Sequence, residues 1–157
     1  MHLFGYGSLM NITSLRKTVP EATITGTDYL KGYRRVFDLR STGRSNGDVR
    51  SCVLNLIEDQ ATTVCGILIS IPEESLAALI EREKQYDLRT VQLESGTEAI
   101  TFIACNYEVY PYQHGDPKQE EYLRLCISAA TEYDFLKNLL NTTYIDGKTL
   151  HELGMTS

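Results

Sequence analysis

Two stretches of the chain combine residue types and spacing that could do chemistry. The first is LFGYGSLM, Leu3 to Met10, an apolar start that runs into Gly5, Tyr6, Gly7 and Ser8 and then returns to apolar residues. It reads as a strand ending in a tight, glycine-containing loop. Glycine admits backbone angles closed to other residues, so consecutive peptide N–H groups can point to one side and form a nest that holds a carboxylate. If Asn11 or Ser14 caps a short helix through Leu15 and Arg16, the positive end of that helix adds to the attraction. The plainer reading is a strand that simply turns.

The second stretch is PEESLAALIEREKQYDL, Pro72 to Leu88. Proline and two glutamates in the first turn start a helix. Leu76, Leu79 and Ile80 stand at i, i+3 and i+4 and define its core-facing stripe. Glu83 follows at i+7, whereas Glu81, Arg82 and Lys84 fall on other faces. A carboxylate held against apolar surroundings has its charged form destabilised and its pKa raised, which suits it to act as a general base near neutral pH. Fraying of the helix before Glu83, or an ion pair between Glu83 and Arg89, would remove that role.

These groups need elements to position them. Residues 24–40 have strand composition, read as two strands with a bulge or break at Gly32. Ser41 to Asp48 is polar with two glycines, hence an exposed loop suited to a substrate lid. Val49 to Ile57 and Val64 to Ile71 look like a hairpin across the polar EDQATT, with Gly66 marking curvature or close backbone approach. Tyr86 to Leu93 and Thr101 to Val109 read as two further strands across ESGTEA. Tyr107, Tyr110 and Tyr112 follow in a surface loop and could line a pocket. Pro117 starts a helix with the stripe Tyr122, Leu123, Cys126, Ile127 and Ala130. A shorter helix spans about Tyr133 to Leu140, and the polar tail is expected to pack loosely. The implied fold class is α+β: a mixed, curved or closed barrel-like sheet of about six strands, a central helix and C-terminal helices.

With 157 residues, a net charge of −6 and 42% hydrophobic residues, the chain has the balance of a globular protein of one domain, residues 1–157. The acidic balance and the absence of a basic run interleaved with aromatics argue against nucleic acid. No apolar run approaches a membrane span and the N-terminus lacks the pattern of a secretory signal, so a cytoplasmic location is expected. Cys52, Cys65, Cys105 and Cys126 show no paired or metal-ligand spacing and read as reduced core residues. His2, His114 and His151 form no zinc motif.

The order of elements resembles the gamma-glutamylcyclotransferase superfamily, which includes gamma-glutamylamine and glutathione-specific branches and the AIG2-like proteins. FGYGSLM (Phe4 to Met10), LKGYRRVFD (Leu30 to Asp38), VLNLIED followed by VCGILISI, and LIEREKQYDLRTV (Leu79 to Val91) carry the likeness across most of residues 3–140. The resemblance implies that Glu83 is the catalytic acid/base and that Tyr6, Gly7, Ser8 and Leu9 form the substrate loop. It also implies that Tyr122, in PKQEEYL, is a pocket residue. Glu81 stands where the family commonly has Asp, and Lys84 where Gly is frequent, which could alter the turn after Glu83. The implied reaction is attack by the α-amine of a gamma-glutamyl amide or peptide on its own γ-carbonyl, giving 5-oxoproline. No cofactor or metal and no nucleophile from the protein is implied, and the partner is a small-molecule gamma-glutamyl substrate. A non-catalytic small-molecule binding domain, a cyclotransferase for a specialised biosynthetic acceptor, and a protein-interaction domain using the tyrosine-rich loop are the competing readings. Leaving group and oligomeric state are not legible.

Overall fold

A computed structural model describes residues 1–40 and 52–155. The expected loop and lid at Ser41 to Asp48 lies outside the described residues.

Strand β1 (His2–Gly5) leads through a 3₁₀ turn (Ser8–Met10) into the short helix α1 (Ile12–Leu15). Asn11 caps α1 by accepting the Ser14 N–H at 3.3 Å. The two long strands are β2 (Thr23–Arg40) and β3 (Cys52–Ser70). A second 3₁₀ turn (Glu73–Ser75) precedes α2 (Leu76–Arg82), then come β4 (Asp87–Gln92) and β5 (Glu98–Ile103). Helices α3 (Pro117–Glu132) and α4 (Leu136–Thr142) are followed by the small strands β6 (Thr143–Ile145) and β7 (Lys148–Thr149).

The strands form one seven-stranded mixed sheet in the order β4-β5-β1-β3-β2-β6-β7, with β1 parallel to β5, β2 parallel to β6 and the other pairs antiparallel. It is curved but open, with β4 and β7 at its edges, so of the two expected forms the closed one is not adopted.

Two expectations about this sheet change. Residues 24–40 lie in one strand, and in place of the expected hairpin the described residues form a second long strand, Cys52–Ser70, paired with β2 on both sides of one interruption. The turn chemistry of EDQATT is real but is used inside the ladder: pairing steps from Lys31 with Thr63 to Tyr33 with Glu58, which extrudes residues 59–62 opposite Gly32. Asp59 closes the extruded loop by accepting from the Ala61 N–H (3.1 Å) and the Thr62 hydroxyl (2.7 Å). Gly32 supplies the facing left-handed residue at φ +90°, as its reading as a bulge required. At Gly66 a Cβ would lie 2.5 Å from the Gly5 carbonyl and 2.7 Å from the Phe4 ring, so glycine lets β1 seat against β3.

The core lies under α3 and α4, where Tyr122, Leu123, Cys126, Ile127 and Ala130 are all buried as their spacing predicts. The tail is not loose. Ile145 and Leu150 are fully buried, and β6 extends the sheet beside β2.

Candidate active site

The chain leaves β1 at Gly5 and crosses the sheet as Tyr6 to Leu9. Three anchors fix this crossing. The Tyr6 hydroxyl donates to the Phe102 carbonyl at 2.5 Å, the Arg35 Nε donates to the Tyr6 carbonyl at 2.8 Å, and Met10 N–H closes the 3₁₀ turn on the Gly7 carbonyl at 2.9 Å. The Ser8 and Leu9 N–H groups precede that first closed bond, so the turn geometry gives them no partner of its own. Gly5 and Gly7 are not in the left-handed region; only Gly26, Gly32, Gly96, Gly115, Gly147 and Gly154 are among described glycines. Gly7 is required instead by close approach, because a Cβ there would sit 2.9 Å from the Tyr122 hydroxyl and 3.4 Å from Leu54 Cβ.

Glu83 reaches the same place from the other side. Helix α2 ends at Arg82, and Glu83 is its C-cap at φ −101°, ψ 32°, with its N–H still bonded to the Leu79 carbonyl at 3.0 Å. The stripe logic thus turned Glu83 inward for a reason only partly correct. Leu79 is fully buried and Leu76 partly so, but Ile80 is 43% exposed, so only part of the expected stripe faces the core. Glu83 itself is 9% exposed. Arg89, its alternative partner, has Nη2 2.7 Å from the Cys105 sulfur, and Cys105 is exposed just past the end of β5 rather than in the core as expected, whereas Cys52, Cys65 and Cys126 are buried.

Tyr6, Gly7, Ser8, Leu9, Leu54, Glu83, Tyr86, Phe102 and Tyr122 line one cleft of about 260 Å³. All six residues singled out in the sequence therefore meet in a single place. Three lining residues were not: Leu54, Tyr86 and Phe102. Tyr86 stands three residues after Glu83, and the bond from its N–H to the Glu83 carbonyl (2.9 Å) fixes the turn. Both main-chain polar groups of Leu54 are taken by tyrosines: its carbonyl accepts from Tyr86 at 2.9 Å and its N–H donates to Tyr122 Oη at 3.2 Å.

Burial raises the Tyr6 pKa well above the ordinary tyrosine value, with Tyr122 and Glu83 adding to the rise and the Arg35 cation opposing it. Tyr6 is therefore a neutral donor. Arg35 is fully buried and clamps three segments, donating to Tyr6 O, to Thr142 Oγ1 (3.0 Å) and to the Cys65 carbonyl. Burial lowers its pKa to about 10, so it remains a cation at neutral pH beneath the loop. Its side-chain parity with the buried Phe37 on β2 was the sequence signal for its burial.

Of the expected pocket tyrosines, Tyr107 and Tyr110 line a second hollow with Leu39, Arg40, Gln85 and Glu108, while Tyr112 is buried edge-on to Phe37 at 5.4 Å. Among the described residues no group of three His, Cys, Asp or Glu side chains is placed to hold a metal ion, and no helix is long and apolar enough to cross a membrane.

An open mixed sheet whose first loop leaves an interior strand and is faced by an inward carboxylate at the end of a short helix defines an α+β cleft protein. A family model described as "Gamma-glutamyl cyclotransferase, AIG2-like" matches residues 3–134, and the chain belongs to that family. No curated protein matches it. Among solved structures it is similar to a gamma-glutamyl cyclotransferase (TM-score 0.73, 17% identity, 95% of this chain and 92% of that one). It is also similar to an uncharacterised protein from Homo sapiens (TM-score 0.72, 18% identity, 94% and 90%). A third likeness is to YkqA from Bacillus subtilis (TM-score 0.62, 25% identity), of which it spans 52% while 88% of this chain is covered. The first two likenesses establish the fold, and membership of the family marks a cyclotransferase-type enzyme acting on a small molecule.

Proposed function

We propose that the chain acts, as a single domain, as a gamma-glutamyl cyclotransferase that releases 5-oxoproline from a gamma-glutamyl amide or peptide. The observation that carries the reading is that the Glu83 carboxylate and the Tyr6–Leu9 backbone line the same cleft.

In this reading the loop N–H groups hold the substrate's α-carboxylate and fold the glutamyl chain so that its amine approaches its own γ-carbonyl, the near-attack geometry that makes ring closure fast. Glu83 takes a proton from the α-ammonium. The freed amine attacks the γ-carbon, forming the ring C–N bond. The C–N bond to the departing amine then breaks as Glu83 returns the proton to that nitrogen, and Glu83 next carries the ring nitrogen's second proton to the released amine, which leaves as an ammonium. No water and no protein nucleophile is consumed. Tyr122, whose side chain lines the same cleft, is the side-chain hydroxyl assigned to donate to the substrate or to the developing oxyanion. The apolar walls, Leu9, Leu54 and Phe102, keep water from the carboxylate and the reacting amine. The second hollow begins at Gln85, next to Tyr86, and gives the leaving amine room beyond the glutamyl site.

The test is 5-oxoproline release from a panel of glutathione, gamma-glutamyl dipeptides and gamma-glutamyl-ε-lysine, with Glu83→Gln run alongside. The expected loss in the variant is on the order of 10²–10⁴ in kcat, the usual worth of a positioned acid/base, with a melting temperature within about 3 °C of wild type. A variant that keeps near-normal turnover removes Glu83 from the mechanism, and silence of the wild type across the panel removes the reaction.

A further inference from the structure

Arg82 lies on the far side of the base from the cleft, and the sequence assigned it only to an outer face of the helix. Its guanidinium reaches across to α1: Nη1 donates to the Ser14 carbonyl at 2.7 Å and to Thr18 Oγ1 at 3.3 Å, and Nη2 donates to Ser14 Oγ at 2.9 Å. Its Nε is 3.9 Å from Glu83 Oε1. Ser14 is in turn the residue whose N–H bonds the Asn11 side chain, and Asn11 directly follows the turn that ends the substrate loop. A short path thus runs from the base to the loop: the 3.9 Å ion-pair contact of Glu83 with Arg82, the hydrogen bonds from Arg82 to Ser14 and from Ser14 N–H to the Asn11 side chain, and the peptide bond that joins Asn11 to Met10. Helix α2 is only seven residues long and Glu83 is already its C-cap, so the carboxylate is carried on a turn rather than on a helix face.

We propose that Arg82 is a positioning residue that pins the base-bearing turn after α2 to the helix following the substrate loop, setting the distance between carboxylate and loop backbone. This rests on the cyclotransferase reading. Arg82 is suited to the task because a guanidinium presents donors in a rigid fork and can bridge a carbonyl and a hydroxyl at once, which a lysine ammonium on a flexible stem does not reproduce. Its charge also favours the ionised form of the adjacent carboxylate. Among the described residues, the titratable groups that line the cleft with Glu83 are Tyr6 from the loop, Tyr86 from the turn before β4 and Tyr122 from α3, and the Arg35 cation lies near Tyr6.

The experiment compares wild type, Arg82→Gln, Arg82→Lys, Ser14→Ala and the Arg82→Gln/Ser14→Ala double variant. Arg82→Gln is expected to lower kcat at least tenfold with KM changed less than about threefold, and to move the acidic limb of the pH–rate profile to higher pH. Arg82→Lys keeps the charge and restores that limb while recovering only part of kcat. Ser14→Ala gives a smaller loss of kcat, and in the double variant its effect is smaller than in wild type because both changes break the same contact. Unchanged kcat and pH profile in Arg82→Gln, even with a lowered melting temperature, would make Arg82 merely structural and overturn the proposal. Amide hydrogen exchange at residues 6–10 reads the same coupling without turnover: faster exchange in Arg82→Gln supports it, and equal protection overturns it whatever reaction the cleft performs.

Discussion

At Gly7, close approach and conformational freedom make different predictions. The glycine was expected for its backbone angles, yet its φ is −137°, and what excludes a side chain is the Tyr122 hydroxyl and Leu54. Gly7→Val is therefore expected to be inactive, because a branched side chain displaces both neighbours. A subtler pair tests the cause. Gly7→Ala forces the Tyr122 ring to move and strains its bond from Leu54 N–H, whereas with Tyr122→Phe already present the nearest obstacle is at 3.4 Å. Gly7→Ala is expected to cost at least about 1 kcal/mol more stability in the wild-type background than in Tyr122→Phe, the size of coupling seen for residues in contact. Urea unfolding of the four proteins measures it, and additive costs would return the explanation to backbone conformation. Sequence alone could locate this glycine but not its reason, since the reason is an atom 115 positions further along the chain.

Among the elements, the helices were more legible than the strands. Apolar spacing located the buried stripe of α3, and the Asp116 and Pro117 pair starts it as such residues do, with the Asp116 carboxylate accepting the Lys118 N–H at 2.9 Å. Strands β2 and β3 were each split in two because turn residues usually end a strand; here they serve bulges, and only partner strands fix which outcome occurs. The end of β2 carries a testable consequence. Asp38 is half-buried, its Oδ1 accepts from the Tyr107 hydroxyl at 2.7 Å, and burial raises its pKa, with Tyr107 and Arg34 opposing the rise. Because its folded pKa lies above the unfolded value of about 4, the folded chain binds more protons just above that value. Stability from this group therefore falls as pH rises through the window. Asp38→Asn keeps an acceptor for Tyr107 and abolishes the fall. The variant's stability relative to wild type is expected to be higher at pH 7 than at pH 4, read from urea midpoints. An unchanged gap would mean Asp38 ionises in the folded chain as freely as in the unfolded one.

Across the whole molecule, the family match ends at residue 134, but the packing does not. The polar composition of the tail hid this, because only Ile145 and Leu150 among its early residues signal burial and both depend on the sheet edge they meet. Thr142 completes the hydrogen bonding of Arg35, and Thr143 and Tyr144 pair with Arg35 and Val36 on β2. The C-terminal residues thus secure the cation that holds the Tyr6 carbonyl, and through it the substrate loop. Ending the chain at Asn141 removes two fully buried side chains worth about 1.5–3 kcal/mol each and leaves Arg35 with a lost acceptor in an opened interior. Set against a total stability of about 5–15 kcal/mol, the truncated chain is expected to lose cooperative unfolding and to become sensitive to limited proteolysis. Thr142→Val isolates the polar part at nearly constant shape: it is expected to cost about 1–3 kcal/mol for the unsatisfied guanidinium donor and to raise hydrogen exchange at residues 6–10. Full stability of Thr142→Val, or a cooperative transition in the chain ending at Asn141, would detach the tail from the cleft and leave Arg35 held by the Tyr6 and Cys65 carbonyls.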